Sequence, residues 1–257
     1  MKAIYIKRYW ISILALLVAT LACSSVGQVA QPTLENAEAI SIVPQKIEGP
    51  PVSGNLQIEA GGQLELRLAT LECCVFWETV EASADWSLAD APKGVEIDTQ
   101  TGLLTADDEV GNGATFTVQA SVSSGQQVFE EKVTVYSLDG NPLVGIWTEK
   151  AQQTCDTYDE TSVEEPIGEL IFSADGSLSV TWRPFEAYID YVGEYSFDTE
   201  TIKIQADGVN YLPENIDGTG TYLIDDQGRL ILSDIWLGSP PFGSATTPLC
   251  GHIFTKK

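Results

Sequence analysis

The chain has 257 residues, with 13 Lys plus Arg against 37 Asp plus Glu, five Cys and one His, room for one large domain or two small ones at about 100 to 200 residues each. A formal net charge of −24 repels phosphate backbones and anionic headgroups, so nucleic-acid binding and a basic peripheral membrane contact are excluded. A lone imidazole cannot assemble a His-rich zinc site within one chain, and a catalytic triad would have to use His252.

The first 22 residues hold Lys2, Lys7 and Arg8 and then an apolar run from Tyr9 to Ala22, the order of a charged n-region and a short h-region. That run is short for a bilayer span of about 20 residues. Removing this segment leaves 10 basic against 37 acidic side chains, a net charge of −27. Leu21-Ala22-Cys23 at the end of the run resembles the bacterial lipoprotein signal. The resemblance implies cleavage before Cys23, a diacylglycerol on its thiol and anchorage of an exported chain to the envelope membrane, since two or more acyl chains hold lastingly. Residues 23–39, with Gly27, Pro32 and few large apolar side chains, read as a flexible tether.

From Ile40 onward period-2 alternation recurs between turn signals and no window sustains a helical period, so the expected class is all-β. Leu64, Leu66 and Leu68 alternate with Glu65 and Arg67; Phe116, Val118 and Ala120, then Val133 and Val135, repeat the device. Such half-buried strands need a second sheet over their apolar face. Trp86-Ser87-Leu88, Gly94 to Asp98, Thr101-Gly102-Leu103-Leu104-Thr105-Ala106 and Ala114 to Val118 together resemble the group-2 bacterial immunoglobulin-like domains. The resemblance covers residues 40–138 and implies a β-sandwich with Trp86 between its sheets. Glu72 to Trp77, containing Cys73 and Cys74, stands as an insertion in that pattern.

Residues 139–257 form a second module. Eight strands are expected: Val144 to Glu149, Glu169 to Ser173, Ser177 to Trp182, Tyr191 to Phe197, Thr201 to Gln205, Thr219 to Ile224, Arg229 to Asp234 and Cys250 to Thr255. Short turns such as Ala174-Asp175-Gly176 join them, which suits an up-and-down barrel that closes on itself. Gly145-Ile146-Trp147 on the first strand and the terminal Ile253-Phe254-Thr255 resemble the lipocalin-like (calycin) barrels. That resemblance implies a tryptophan plugging the barrel floor, although the last strand supplies no Arg to stack on Trp147. An Ig-like repeat is the alternative for this half.

Four Cys besides Cys23 allow three pairings. Cys155 follows the first barrel strand and Cys250 starts the last; closure makes those strands neighbours, so Cys155 with Cys250 is the expected disulfide. Adjacent Cys73 and Cys74 point to opposite faces of a strand, with no third or fourth metal ligand nearby. His252 reads as a structural or rim histidine, no Gly-x-Ser-x-Gly elbow occurs, and the acidic clusters lack calcium-loop spacing. No cofactor and no metal are expected. The most suggestive feature is aromatic: Trp182 to Tyr191 links two strands, and Trp236 to Phe242 begins the loop before the last one. Trp182, Tyr191, Trp236 and Phe242 are the expected lining of a barrel mouth for a small hydrophobic or carbohydrate ligand, unless these side chains simply fill a small barrel. The function expected is a non-enzymatic lipoprotein whose Ig-like spacer displays a binding barrel. The alternatives are a carboxylate-dependent hydrolase of surface glycans and a purely structural or adhesive protein.

Overall fold

The computed structural model describes residues 40–45, 56–72, 76–155, 157–182, 191–209, 218–238 and 249–257. The expected leader, Cys23, the tether, Cys73, Cys74 and Phe242 lie outside them. Among the described residues the chain is all-β, with one 3-10 turn at Ser123–Gly125 and no α-helix.

The first half contributes β1 (Ile40–Pro44), β2 (Leu56–Glu59), β3 (Gln63–Glu72), β4 (Phe76–Thr79), β5 (Ala84–Ala89), β6 (Val95–Ile97), β7 (Leu103–Ala106), β8 (Thr115–Val122) and β9 (Gln127–Tyr136). One sheet has the order β1-β3-β7-β6 with β4 also on β3, and the other has β2-β9-β8-β5. All pairings are antiparallel except β2 with β9, which is parallel with Leu56 opposite Val133. The alternation explains the layering: Leu66, Leu68, Leu104, Phe116, Val118, Ala120, Val133 and Val135 are buried in one core between the sheets. Trp86 sits there too, at 6% exposure. Gly102, at φ +72°, lies against its ring, where a Cβ would come within 2.7 Å of the indole. On either side of Cys73-Cys74-Val75, which lie outside the described residues, β3 and β4 pair with Glu72 opposite Phe76.

The second half contributes β10 (Gly145–Thr154), β11 (Glu160–Thr161), β12 (Glu169–Phe172), β13 (Ser177–Thr181), β14 (Tyr191–Phe197), β15 (Thr201–Val209), β16 (Thr219–Ile224), β17 (Leu230–Ser233) and β18 (Leu249–Lys256). Strands β10 and β12 to β18 pair in sequence, and β10 pairs β18 to close an eight-stranded antiparallel barrel, with the two-residue β11 laid on β10. Pairing the first and last long strands removes the free edges that they would present in an open sheet, the standard liability of an antiparallel sheet.

Hairpins are set by local chemistry. Asp198 and Asp225 each accept backbone N–H bonds from residues just ahead, Glu200 and Thr201 in one case, Gln227 and Arg229 in the other, the Asx device that turns a chain tightly. Backbone N–H donors, Thr201 first and Arg229 first, hold both carboxyls below the usual range. Strand β10 runs five residues beyond the expected Glu149. A register shift between Glu149 and Ala151 absorbs Lys150 as an extra residue and lets pairing with β18 continue to Thr154, as a bulge does. Cys155 therefore follows the strand directly.

One end of the barrel is the floor. Trp147 is buried and its Nε1 donates to the Leu143 carbonyl at 2.7 Å, while the Lys256 ammonium lies 5.4 Å from its ring centroid. A lysine thus supplies the cation over the tryptophan that the sequence lacks as arginine. Phe172 meets Tyr195 edge to face at 4.8 Å, and the Tyr195 hydroxyl donates to the Ser173 carbonyl while accepting from Asn141 Nδ2.

Candidate functional site

Strand register places the remaining features at the opposite end. Trp182 follows β13, Tyr191 opens β14, and residues 234–238 leave β17. This last segment crosses toward β13 and β14: at Gly238 a Cβ would lie 3.2 Å from Trp182 Nε1 and 3.9 Å from Tyr191 Cβ, and the φ of +92° there suits glycine. Ile235 and Leu237 turn inward and are buried, whereas Trp236 is half-buried and meets Tyr191 edge to face at 5.7 Å. Trp182 and Tyr191 are 8% and 3% exposed. Burial, helped by the Asp207 carboxylate, pushes the Tyr191 hydroxyl up to about 12.

Three of the four expected lining residues therefore converge on one barrel end, and Phe242 lies outside the described residues. They are not equally open. Trp182 and Tyr191 belong to the packed interior with Leu178, Val180, Ile204 and Leu232, and Trp236 packs on that core from its edge. Only Trp236 keeps substantial exposure.

The expected disulfide is present: Cys155 and Cys250 are bonded with their Cα atoms 4.7 Å apart. It clamps β10 to β18 at this same end, from Cys155, just past the Thr154–Leu249 pair, to Cys250 in the register irregularity between Leu249 and Gly251.

Beside the disulfide lies a polar network that sequence reasoning did not find. Glu149, continuing the inward phase of Trp147, is 2% exposed. One carboxylate oxygen accepts from His252 Nδ1 at 2.7 Å and from Gln152 Nε2 at 3.0 Å, and the other accepts from the Ile167 N–H at 2.8 Å. Because a carboxylate only accepts, Nδ1 carries the imidazole proton. Nε2 makes no hydrogen bond to a described residue, so no nucleophile is seen at the ring nitrogen that a catalytic triad would use. His252 is 8% exposed, interior to the barrel wall and not on an open rim. The signal for this network was the acid in the inward phase at position 149, two residues after Trp147. Among the described residues no group of three or more His, Cys, Asp or Glu is placed to hold a metal ion.

Fold and site together define an all-β protein with a closed eight-stranded antiparallel barrel preceded by two further sheets. No protein-family model matches the chain. No curated protein matches it either. Among solved structures it is similar to a structural-genomics protein of unknown function from Bacteroides ovatus, at 10% identity and a TM-score of 0.26, over 85% of this chain and 93% of that one.

Proposed function

We propose that the chain is an exported, lipid-anchored envelope protein in which an immunoglobulin-like spacer carries a lipocalin-like barrel that binds a small neutral ligand at its aromatic end. The observation that carries this reading is the convergence of Trp182, Tyr191 and Trp236 at the barrel end opposite the Trp147 floor, with Trp236 left half-exposed. Half-exposed aromatics over an apolar interior are what a small-molecule site uses for grip. The −27 charge after removal of the leader favours a neutral ligand over an anion.

Two fold details support the family readings. The sheet orders β1-β3-β7-β6 and β2-β9-β8-β5 follow the A-B-E-D and G-F-C layering of immunoglobulin-like sandwiches, with β2 as the switched first strand. Gly145-x-Trp147 at the floor, with a cation over the ring, follows the lipocalin-like plan.

Tryptophan fluorescence of the mature chain, titrated with a panel of neutral hydrophobic molecules, tests the proposal. A saturable change in the wild type that Trp236→Ala abolishes while the circular dichroism spectrum is kept is the expected result. Indifference to the whole panel, or loss of the fold in Trp236→Ala, makes these aromatics plain core and leaves the structural reading in place.

A further inference from the structure

The two N-terminal sheets carry a separate concavity, remote in sequence from the barrel. A groove of about 610 Å³ opens where the sheets part, with Arg67, Thr79, Asp85, Trp86, Gln100 and Ser121 in its lining. Its volume falls in the range of about 300 to 1,000 Å³ typical of small-molecule sites. Hydroxyls, an amide, a carboxylate and a guanidinium there suit a polyol better than an apolar molecule.

Two groups in it are open to a ligand. Arg229, the other described arginine, is held by the carboxylates of Asp225 and Glu160. Among the described residues Arg67 meets only neutral oxygens, the Pro44 carbonyl at 3.4 Å and the Thr79 hydroxyl, in a chain with 37 acids. The second is the Trp86 indole: the residue is only 6% exposed, but its Nε1 makes no hydrogen bond to a described residue and is not shut away from solvent, so this donor opens to the groove that Trp86 lines. Gly102 lies over it, and a Cβ there would come 3.0 Å from Nε1, so glycine leaves this donor uncovered.

We propose that this groove binds a saccharide bearing a single carboxylate, with the acid on Arg67 and sugar oxygens on the Trp86 N–H, Gln100 and Asp85. A guanidinium fork fits a carboxylate and makes a charge-assisted bond. Asp85 uses one oxygen to accept from Gln100 Nε2 at 3.3 Å and offers the other to a sugar hydroxyl. The surrounding negative charge does not forbid one carboxylate, because the Debye length of about 8 Å at physiological salt leaves Arg67 to set the local sign. An added peptide strand fits less well: β5 is the edge strand nearest the groove, and the backbone N–H of its Trp86, unlike the indole N–H, is already donated to the Thr99 carbonyl at 2.9 Å.

The test uses the full chain in detergent, calorimetric titration and the Trp86 indole N–H resonance. The probes each carry one carboxylate, namely methyl galacturonoside, a hyaluronan disaccharide and sialyllactose, with the methyl ester of the galacturonoside and an extended Thr/Val hexapeptide as counter-probes. At least one acidic saccharide is expected to bind and shift the Trp86 resonance, with its affinity falling on added salt. Arg67→Gln should weaken it at least tenfold at unchanged melting temperature, and Arg67→Lys by less. If Arg67→Gln fails to fold, Gln100→Ala, on an exposed turn, serves as the second variant and should also weaken binding. Binding of none of the three acids, equal affinity for ester and acid, binding of the hexapeptide with a Trp86 shift, or shifts confined to Trp182 and Trp236 would each overturn the proposal.

Discussion

Removing the Cys155–Cys250 bond through a Cys155→Ala/Cys250→Ala double variant gives a perturbation whose size can be worked from the fold. The bond spans 95 positions of sequence. In the chain-entropy model, closing a loop of that length in the unfolded ensemble is worth about 4.7 kcal/mol at 25 °C. The folded state loses little when the bond is absent, because β10 and β18 remain paired from Trp147 with Lys256 up to Thr154 with Leu249. Residual structure in the unfolded chain and relaxation at the strand ends lower the measured figure, so the expected loss is about 2 to 4 kcal/mol. Urea unfolding followed through Trp147, Trp182 and Trp236 reports the barrel, and Trp77 and Trp86 report the other core. The barrel transition should move to lower urea and the other should hold its midpoint. A loss under about 1 kcal/mol, or an equal shift of both transitions, would refute the reasoning.

The buried carboxylate makes a second case. Glu149→Ala strands the Ile167 N–H, Gln152 Nε2 and His252 Nδ1 without their acceptor and should cost about 3 to 5 kcal/mol of barrel stability; a chemical-denaturation loss under about 1 kcal/mol would show the network to be dispensable. Alkaline pH makes a third. Burial is the leading cause that pushes Tyr191 and Tyr195 up to about 12, so their contribution is whole below the unfolded value near 10 and is lost as pH rises through 12; phenolate absorbance should show two tyrosines titrating late, together with barrel unfolding, and full titration by pH 10.5 in a folded protein would contradict it. For the anchor, a fatty-acid probe should label the wild type in cells and leave Cys23→Ala unlabelled; equal labelling of both excludes lipid on Cys23.

Strand positions were legible because alternation is a local property: Leu64 to Leu68 and Phe116 to Ala120 declare their faces without reference to anything distant. The disulfide was legible once barrel closure made the first and last strands neighbours. The His252 partner was not, because Glu149 lies 103 positions away and a register shift at Lys150 decides which side chains stay inward. The parallel pairing of β2 with β9 was equally silent, since four residues at Leu56–Glu59 carry too short a pattern to specify a partner near Val133. Lys256 over Trp147 escaped notice for a simpler reason: the lipocalin-like resemblance directs attention to arginine, and lysine meets the same need. At the aromatic end the sequence indicated which side chains gather and not how deeply they sit; only packing separates buried Trp182 from half-exposed Trp236.

Binding at the aromatic end is tested most directly by the indole ¹⁵N–¹H spectrum of the chain after removal of the leader, at saturation with a neutral hydrophobic molecule. Five tryptophans, Trp77, Trp86, Trp147, Trp182 and Trp236, give five resolvable reporters in known places. Shifts at Trp236 and Trp182, with Trp77, Trp86 and Trp147 unmoved, are the predicted result. No movement at Trp236 and Trp182 across the panel, or shifts centred on the floor at Trp147, would contradict it.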